Sequence, residues 1–395
     1  MEQTAQKALL APPANPIPPA AQAIVDVAKA HGVSPFRQMR EMWSLRRSTG
    51  KIRSDEYHST GVFNPDLSME AKREFVGRTG SYQLNNRLSP SALTTMRIFV
   101  RDKVMYSALL DSLGVPTTRT QAVVHGDRTF GKLPVLRDPQ TIADFMKNDA
   151  VYPVFGKPCE GSQSVGSALI TGCTGDMLTL GNGREVDLMG FAHELIEDYP
   201  EGFILQSAVD QHDALTSITG PAVGTLRVVT LRDENGAAPL YHVWKLPSPS
   251  AMSDNFWQAG SMIAEIGADG VVTRCKRGTG LAAEWIDTHP TSEQPIVGAQ
   301  IPHWDAVLKL ATDTHMLFPD FGVIGWDIAM GKDGPLVIEC NANPFHMLYQ
   351  LATGRGVMNA DHMPRIEAAA AYSKKISDER NQLARDRIKD RKQVS

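Results

Sequence analysis

From Ala20 the apolar positions recur at helical spacing: Ile24, Val27 and Ala28, then Met39, Met42 and Trp43 after a Gly-Val-Ser-Pro break. Ser34 can cap the second helix, with Pro35 in its first turn, where a missing N–H costs nothing. Tyr57, Phe63, Phe75 and Tyr82 are the aromatic anchors expected in the stretch that follows. Residues 97–118 carry a further apolar stripe, including Val104, Leu109 and Leu113, and predict one helix stopped by Gly114. The pattern then shortens. Runs at 151–155, 168–170, 202–209 and 223–231 read as strands. A helix over 304–318 leads into two more apolar runs, 323–330 and 336–340, and residues 365–392 predict a long charged helix.

The two late runs flank Gly-Lys-Asp-Gly, a hairpin signal. Set in them are Asp327, Glu339 and Asn341, residue types that strands normally avoid. Side chains alternate along a strand, so Glu339 and Asn341 face one way, and Leu336, Ile338 and Cys340 the other. A three-residue loop, Lys332-Asp333-Gly334, with Gly334 left-handed, sets Asp327 opposite Glu339. One face of the hairpin then carries two carboxylates and an amide oxygen. Mg²⁺ takes such oxygens, completed by water and substrate phosphates. A merely wet face would more typically carry Lys, Thr or Arg.

A second constellation lies in AVYPVFGKPCEGSQSVGSALI, where a strand, a Gly-rich turn and a strand have Lys157 at their root. Backbone N–H groups in such a turn approach an anion closely. It is not a Walker A loop, because the second glycine is followed by Ser rather than Lys. Arg227 interrupts the β-branched strand VGTLRVVTL, and Lys245 follows in YHVWKLPS. His289 sits before Pro290 and is expected to be a structural turn histidine. No Ser-His-Asp or Cys-His arrangement competes.

Composition narrows the class. At 395 residues, 42% hydrophobic and 21% charged, the chain can form two or three domains with a substantial core. No apolar run approaches the roughly 20 residues of a membrane helix, so no membrane span is expected. The proline-broken start lacks a basic n-region, and Cys159, Cys173, Cys275 and Cys340 show no zinc spacing; both suit a cytoplasmic protein with reduced thiols. Residues 121–359 hold 15 Lys and Arg against 28 Asp and Glu. That acidic middle argues against a nucleic-acid groove. The basic ends read as solvated helical faces.

The hairpin wording GWDIA…GPLVIECN, the VGTLR strand and the SDNF loop resemble the ATP-grasp superfamily, in particular its sugar-transfer-associated branch. The resemblance runs from about residue 20 to 360. It implies an α+β fold, the ATP-grasp fold, with two α+β subdomains clamping ATP, a helical N-terminal region and a C-terminal helix. The expected division is 1–96 for the arm and helical region, 97–205 and 206–359 for the subdomains, and 360–395 for the helix. By resemblance, Lys103 of the Asp-Lys pair and Lys157 reach the nucleotide phosphates under a mobile loop containing Gly161, Ser162, Ser164 and Gly166. The hinge Gln206, Ser207, Ala208 and Val209 holds the adenine edge. Asp210 is the acid nearest to the place where relatives often carry one. Asp327, Glu339 and Asn341 bind Mg²⁺, while Arg227 and Lys245 act in catalysis. In SAMSDNFWQAGSM, Asp254 and Asn255 are in place, but Gln258 to Ser261 replace a Gly-rich turn.

The implied activity is ATP-dependent ligation of a small-molecule carboxylate to an amine or other nucleophile through an acyl phosphate, in natural-product or polysaccharide modification. A kinase acting on a hydroxyl of a sugar-like substrate, or a nucleotide-binding protein without turnover, would share the same nucleotide residues. Removing either carboxylate of the pair is expected to spare folding, because like-charge repulsion is relieved.

Overall fold

The computed structural model describes residues 20–91, 93–160, 166–248, 251–254, 256 and 260–394. Gly161, Ser162, Ser164 and Asn255 therefore lie outside the described residues.

Helices Ala20–His31, Pro35–Arg47, Ser54–Ser59, Met69–Arg73 and Arg78–Leu88 open the chain. Ser34 does cap the second, its hydroxyl accepting from the Arg37 N–H, with Pro35 in the first turn. The face turned inward differs from the expected stripe: Gln38, Glu41 and Leu45 are buried, while Met39 and Trp43 are exposed. A polar network replaces apolar packing there. Glu41 accepts from Lys72 at 2.5 Å, Tyr57 at 2.7 Å and Arg37 at 2.9 Å. Around it Val27, Leu45, Tyr57, Phe63 and Phe75 form a core, whereas Tyr82 stays exposed.

Two seven-stranded sheets follow. The first contains β1 (Thr120–Val124), β2 (Val135–Leu136), β3 (Val154–Pro158), β4 (Ala168–Thr174), β5 (Met177–Leu180), β6 (Glu185–Asp187) and β7 (Phe203–Ser207), in the order β2-β1-β7-β3-β4-β5-β6. Only β1 and β2 pair in parallel. Helices Pro139–Asn148 and Leu188–Asp198 bury Ile142, Phe191 and Leu195 against it.

The second sheet contains β8 (Thr225–Asp233), β9 (Gly236–Leu246), β10 (Met262–Ile266), β11 (Val272–Arg277), β12 (Glu284–Ile286), β13 (Val323–Gly331) and β14 (Gly334–Asn341), in the order β12-β11-β10-β9-β8-β13-β14. Every residue of β13 is buried, as a continuous apolar run would suggest. Helix Trp304–His315 covers one side, where Trp244, Phe318, Trp326 and Val307 meet. The predicted helix over 97–118 breaks in two, Arg97–Arg101 and Lys103–Ser112. Asp102 leaves the helical region there, and its carboxylate caps the N–H groups of Val104 and Met105.

The N-terminal helices dock on the hairpin's exit. Asn85 donates to the Pro344 carbonyl at 3.0 Å and meets His346 Nε2 at 2.9 Å, and Gln350 bridges both backbone groups of Val76. The chain ends in the long helix Met363–Val394.

Candidate active site

The expected pairing of Asp327 with Glu339 is present, but the loop does not produce it. Gly331 pairs with Gly334, so the loop has two residues, Lys332 and Asp333, and Gly334 takes the expected positive φ, +124°. Parity is restored by a bulge: Ile328 pairs with Val337, Asp327 pairs with Glu339, and Ile338 is the extra residue. Val337 consequently joins Cys340 in the core, Leu336 is half-buried, and Ile338 lines a cavity.

Asp327 is also opposite Arg227 on β8, so one row across three strands reads Arg227, Asp327, Glu339. The Arg227 guanidinium donates through Nε to Oδ1 at 2.5 Å and through Nη2 to Oδ2 at 3.0 Å, a two-pronged clamp on a carboxylate only 4% exposed. Lys245 on β9 adds Nζ at 3.3 Å to Oδ2 and reaches Asp254 at 3.2 Å. Asp254 in turn accepts from the Thr225 N–H and hydroxyl, which ties the SDNF loop to β8. Burial by itself would raise the Asp327 pKa, but Arg227 and Lys245 outweigh it and hold the group at about 2. Burial would lower Lys245, yet Asp254 and Asp327 raise it; Arg227 is likewise raised by Asp327 against its own burial. All three charges persist at neutral pH. Gly325 makes this row possible, because a Cβ there would lie 2.8 Å from the Pro344 ring and 3.4 Å from Arg227 Cδ.

Beside the row lies a cavity of about 450 Å³ lined by Arg97, Arg101, Lys103, Tyr106, Glu339 and Asn341, among others. Lys103 Nζ is 3.9 Å from Glu339 Oε1 and donates to the Pro158 carbonyl at 3.4 Å. Lys157, at the end of β3, is buried; that burial, assisted by the like charge of Lys103, pulls its pKa down to about 8. An anion bound here would raise it again and keep the lysine charged to higher pH. Arg97 and Arg101 were missed in the sequence, although R-x-x-x-R-D-K spacing ahead of Lys103 was available as a signal.

The donors fit a hard cation in part. Glu339 and Asn341 turn oxygen-bearing side chains to the cavity. Asp327 Oδ2 already accepts from Arg227, Lys245 and, at 3.5 Å, Asn341, whereas Oδ1 accepts from Arg227 alone among the described residues. A carboxylate oxygen has two acceptor sites, so Oδ1 retains one. Among the described residues no three or more His, Cys, Asp or Glu cluster as a metal site.

The residues expected to form the hinge sit elsewhere. Gln206 and Ser207 lie within β7 between β1 and β3, and the N–H groups of Ser207 and Ala208 are taken by the carbonyls of Arg119 and Pro153. Val209 and Asp210 line a separate groove of about 940 Å³, walled by the hairpin tip and helix Trp304–His315. The Asp210 carboxylate pairs with Lys332 at 3.0 Å. Its backbone carbonyl accepts from the Lys332 N–H, and His212 donates to Met330, so the exit of the first sheet is stitched to the end of β13. Gly166 has φ +79°, and a Cβ on it would collide with the Tyr199 ring. His289 accepts from the N–H groups of Thr291 and Ser292 and shapes a turn. Cys340 is buried, and burial pushes its thiol pKa up, so it is inert.

Two antiparallel-rich sheets, with a cavity lined by Lys103 and by Glu339 and Asn341 of the second sheet's hairpin, fit an ATP-grasp fold. The chain matches the sugar-transfer associated ATP-grasp family over residues 83–366 and belongs to that family. Solved structures similar to it include the biotin carboxylase domain of Hydrogenobacter thermophilus 2-oxoglutarate carboxylase, with MgADP, ADP and bicarbonate (12% identity, 69% of this chain and 45% of that one, TM-score 0.37). Another is the L-amino acid ligase from Bacillus licheniformis (15% identity, 70% and 49%, TM-score 0.35). A third is the D-alanine-D-alanine ligase from Coxiella burnetii (10% identity, 78% and 69%, TM-score 0.39). The chain spans about half the length of the first and second of these. No curated protein matches it by sequence. Among the described residues no helix is long and apolar enough to cross a membrane.

Proposed function

We propose that the protein uses ATP to join a small-molecule carboxylate to an amine or another nucleophile. The observation that carries this reading is the clamped row Arg227–Asp327–Glu339 beside a cavity with Lys103 at its wall. Lys103 and Lys157 contact the phosphates and offset their charge. The γ-phosphoryl group passes to a carboxylate oxygen of the acid, giving ADP and an acyl phosphate. The amine then attacks the carbonyl carbon, inorganic phosphate leaves, and the amine gives up a proton.

Both steps develop negative charge on oxygen. Arg227 is held by Nε and Nη2, so its orientation is fixed before substrate arrives, and its charge costs no reorganisation in the transition state. Lys245 supplies a second fixed cation. Glu339, Asn341 and the remaining acceptor site of Asp327 Oδ1 would hold Mg²⁺, whose contribution when bound is to neutralise the β- and γ-phosphates.

The test is ADP release from MgATP across a panel of carboxylic acids, with and without amines, and with product mass. ADP and phosphate formed together with an amide supports the ligase. A phosphorylated hydroxyl product formed without amine makes the protein a kinase. ATP binding with no acceptor-stimulated ADP release across the panel would leave a nucleotide-binding protein.

A further inference from the structure

We propose that the outer face of helix Pro35–Arg47 docks on an anionic phospholipid surface. At 3.6 residues per turn, Phe36, Met39, Arg40, Trp43, Arg46 and Arg47 fall within an arc of about 120°. The inward residues Gln38, Glu41 and Leu45 occupy the opposite side. Phe36 is 77% exposed, Met39 60% and Trp43 63%, so three large apolar side chains stand in water on one stripe. Arg40, Arg46 and Arg47 are exposed between and beside them, and the Arg47 guanidinium lies 3.7 Å over the Trp43 ring.

Along the chain through this stripe the charge has one sign. Residues 29–53 contain seven Lys and Arg and a single acid, Glu41. That acid is buried and occupied by Lys72, Tyr57 and Arg37. The next two acids are also engaged: Asp55 pairs with Arg53, and Glu56 accepts from the N–H groups of Arg53 and Arg78. The complement is a negatively charged surface that also accepts apolar side chains. A bilayer interface offers both: anionic headgroups over hydrocarbon, where Trp settles and Arg reaches outward along its aliphatic stem. The attachment is peripheral, since among the described residues no helix is suited to span a membrane.

Flotation of the full chain with phosphatidylcholine vesicles, with and without about 30% phosphatidylglycerol, tests the assignment. The protein is expected to float only with the anionic vesicles and to be released by salt. Arg40→Gln/Arg46→Gln/Arg47→Gln should raise the lipid concentration for half-binding on the order of 100-fold, at about fivefold per cation. Phe36→Ser/Met39→Ser/Trp43→Ser should weaken binding as well. Both variants should melt with the parent, because the replaced groups are exposed. Absent or charge-independent vesicle binding, or folded variants that bind like the parent, overturns the proposal. So does a parent dimer that the apolar variant makes monomeric without any vesicle binding, since the occupant is then a second copy.

Discussion

Asp327→Asn should destabilise the protein as well as impair it. The substitution keeps the side chain's shape and removes the charge that offsets two buried cations, Arg227 and Lys245. Holding Asp327 at about 2, below its ordinary 3.8, corresponds to roughly 2–3 kcal/mol. Breaking a buried ion pair from one side typically costs about 3–5 kcal/mol. Lys245 keeps Asp254, which places the expected loss near the lower figure, about 2–4 kcal/mol. For a domain of roughly 200 residues that is a fall of about 5–15 °C in melting temperature. The folded pKa is depressed, so the stabilisation is complete above about pH 4 and lost as pH falls toward 2. Thermal unfolding of parent and variant should therefore differ by the full amount from pH 7 down to about 4, with the gap closing below. Glu339→Gln is the control. Its side chain is 37% exposed and meets Lys103 only at 3.9 Å, worth about 0–1 kcal/mol, so the variant should melt with the parent yet lose most activity at ordinary Mg²⁺. An Asp327→Asn protein melting within about 1 °C of the parent at pH 7 would refute the clamp. The like-charge argument from sequence for sparing the fold therefore applies to Glu339, whereas Asp327 faces the two cations Arg227 and Lys245.

Lys157→Ala should weaken ATP binding by at least about tenfold in equilibrium titration. In the parent, ATP affinity should decline as pH rises through about 8, where the unliganded lysine loses its proton. Arg227→Lys keeps a charge against Asp327 but loses the fork; kcat should fall more than about tenfold while the ATP KM stays within about threefold. An equal loss of ATP affinity in Arg227→Lys and Lys157→Ala would move Arg227 to the nucleotide. Gly325→Ala forces a Cβ against Pro344 and beside Arg227 Cδ and should cost about 1–3 kcal/mol in denaturant unfolding, with activity reduced.

The strands carrying the acidic hairpin were legible because their apolar runs are continuous and their polar residues are exceptional. Asp327 and Glu339 could be paired from parity alone, yet parity does not say where the odd residue sits, and the bulge at Ile338 is invisible in a run of three β-compatible residues. The clamp escaped for a different reason. Arg227 and Asp327 are 100 positions apart, and only the adjacency of β8 and β13 makes them neighbours. On the second helix an apolar stripe was legible, but its direction was not: Glu41 satisfied by Lys72 and Tyr57 competes successfully with Met39 and Trp43 for the interior. Residues 206–209, expected to form the hinge, run from the last residues of β7 into the chain beyond it, and the sheet hydrogen bonds that occupy the Ser207 and Ala208 N–H groups depend on the segments flanking β1 and β3.

The bulge at Ile338 also sets which changes of length this hairpin can absorb. Two residues added at Lys332-Asp333 lengthen the tip and leave every facing unchanged. Removing Ile338 erases the bulge, and Glu339 then follows Val337 directly into the place opposite Asp327 with the tip unchanged. In any set of relatives, a one-residue gap at position 338 should therefore leave both acids in place without a compensating change at the turn.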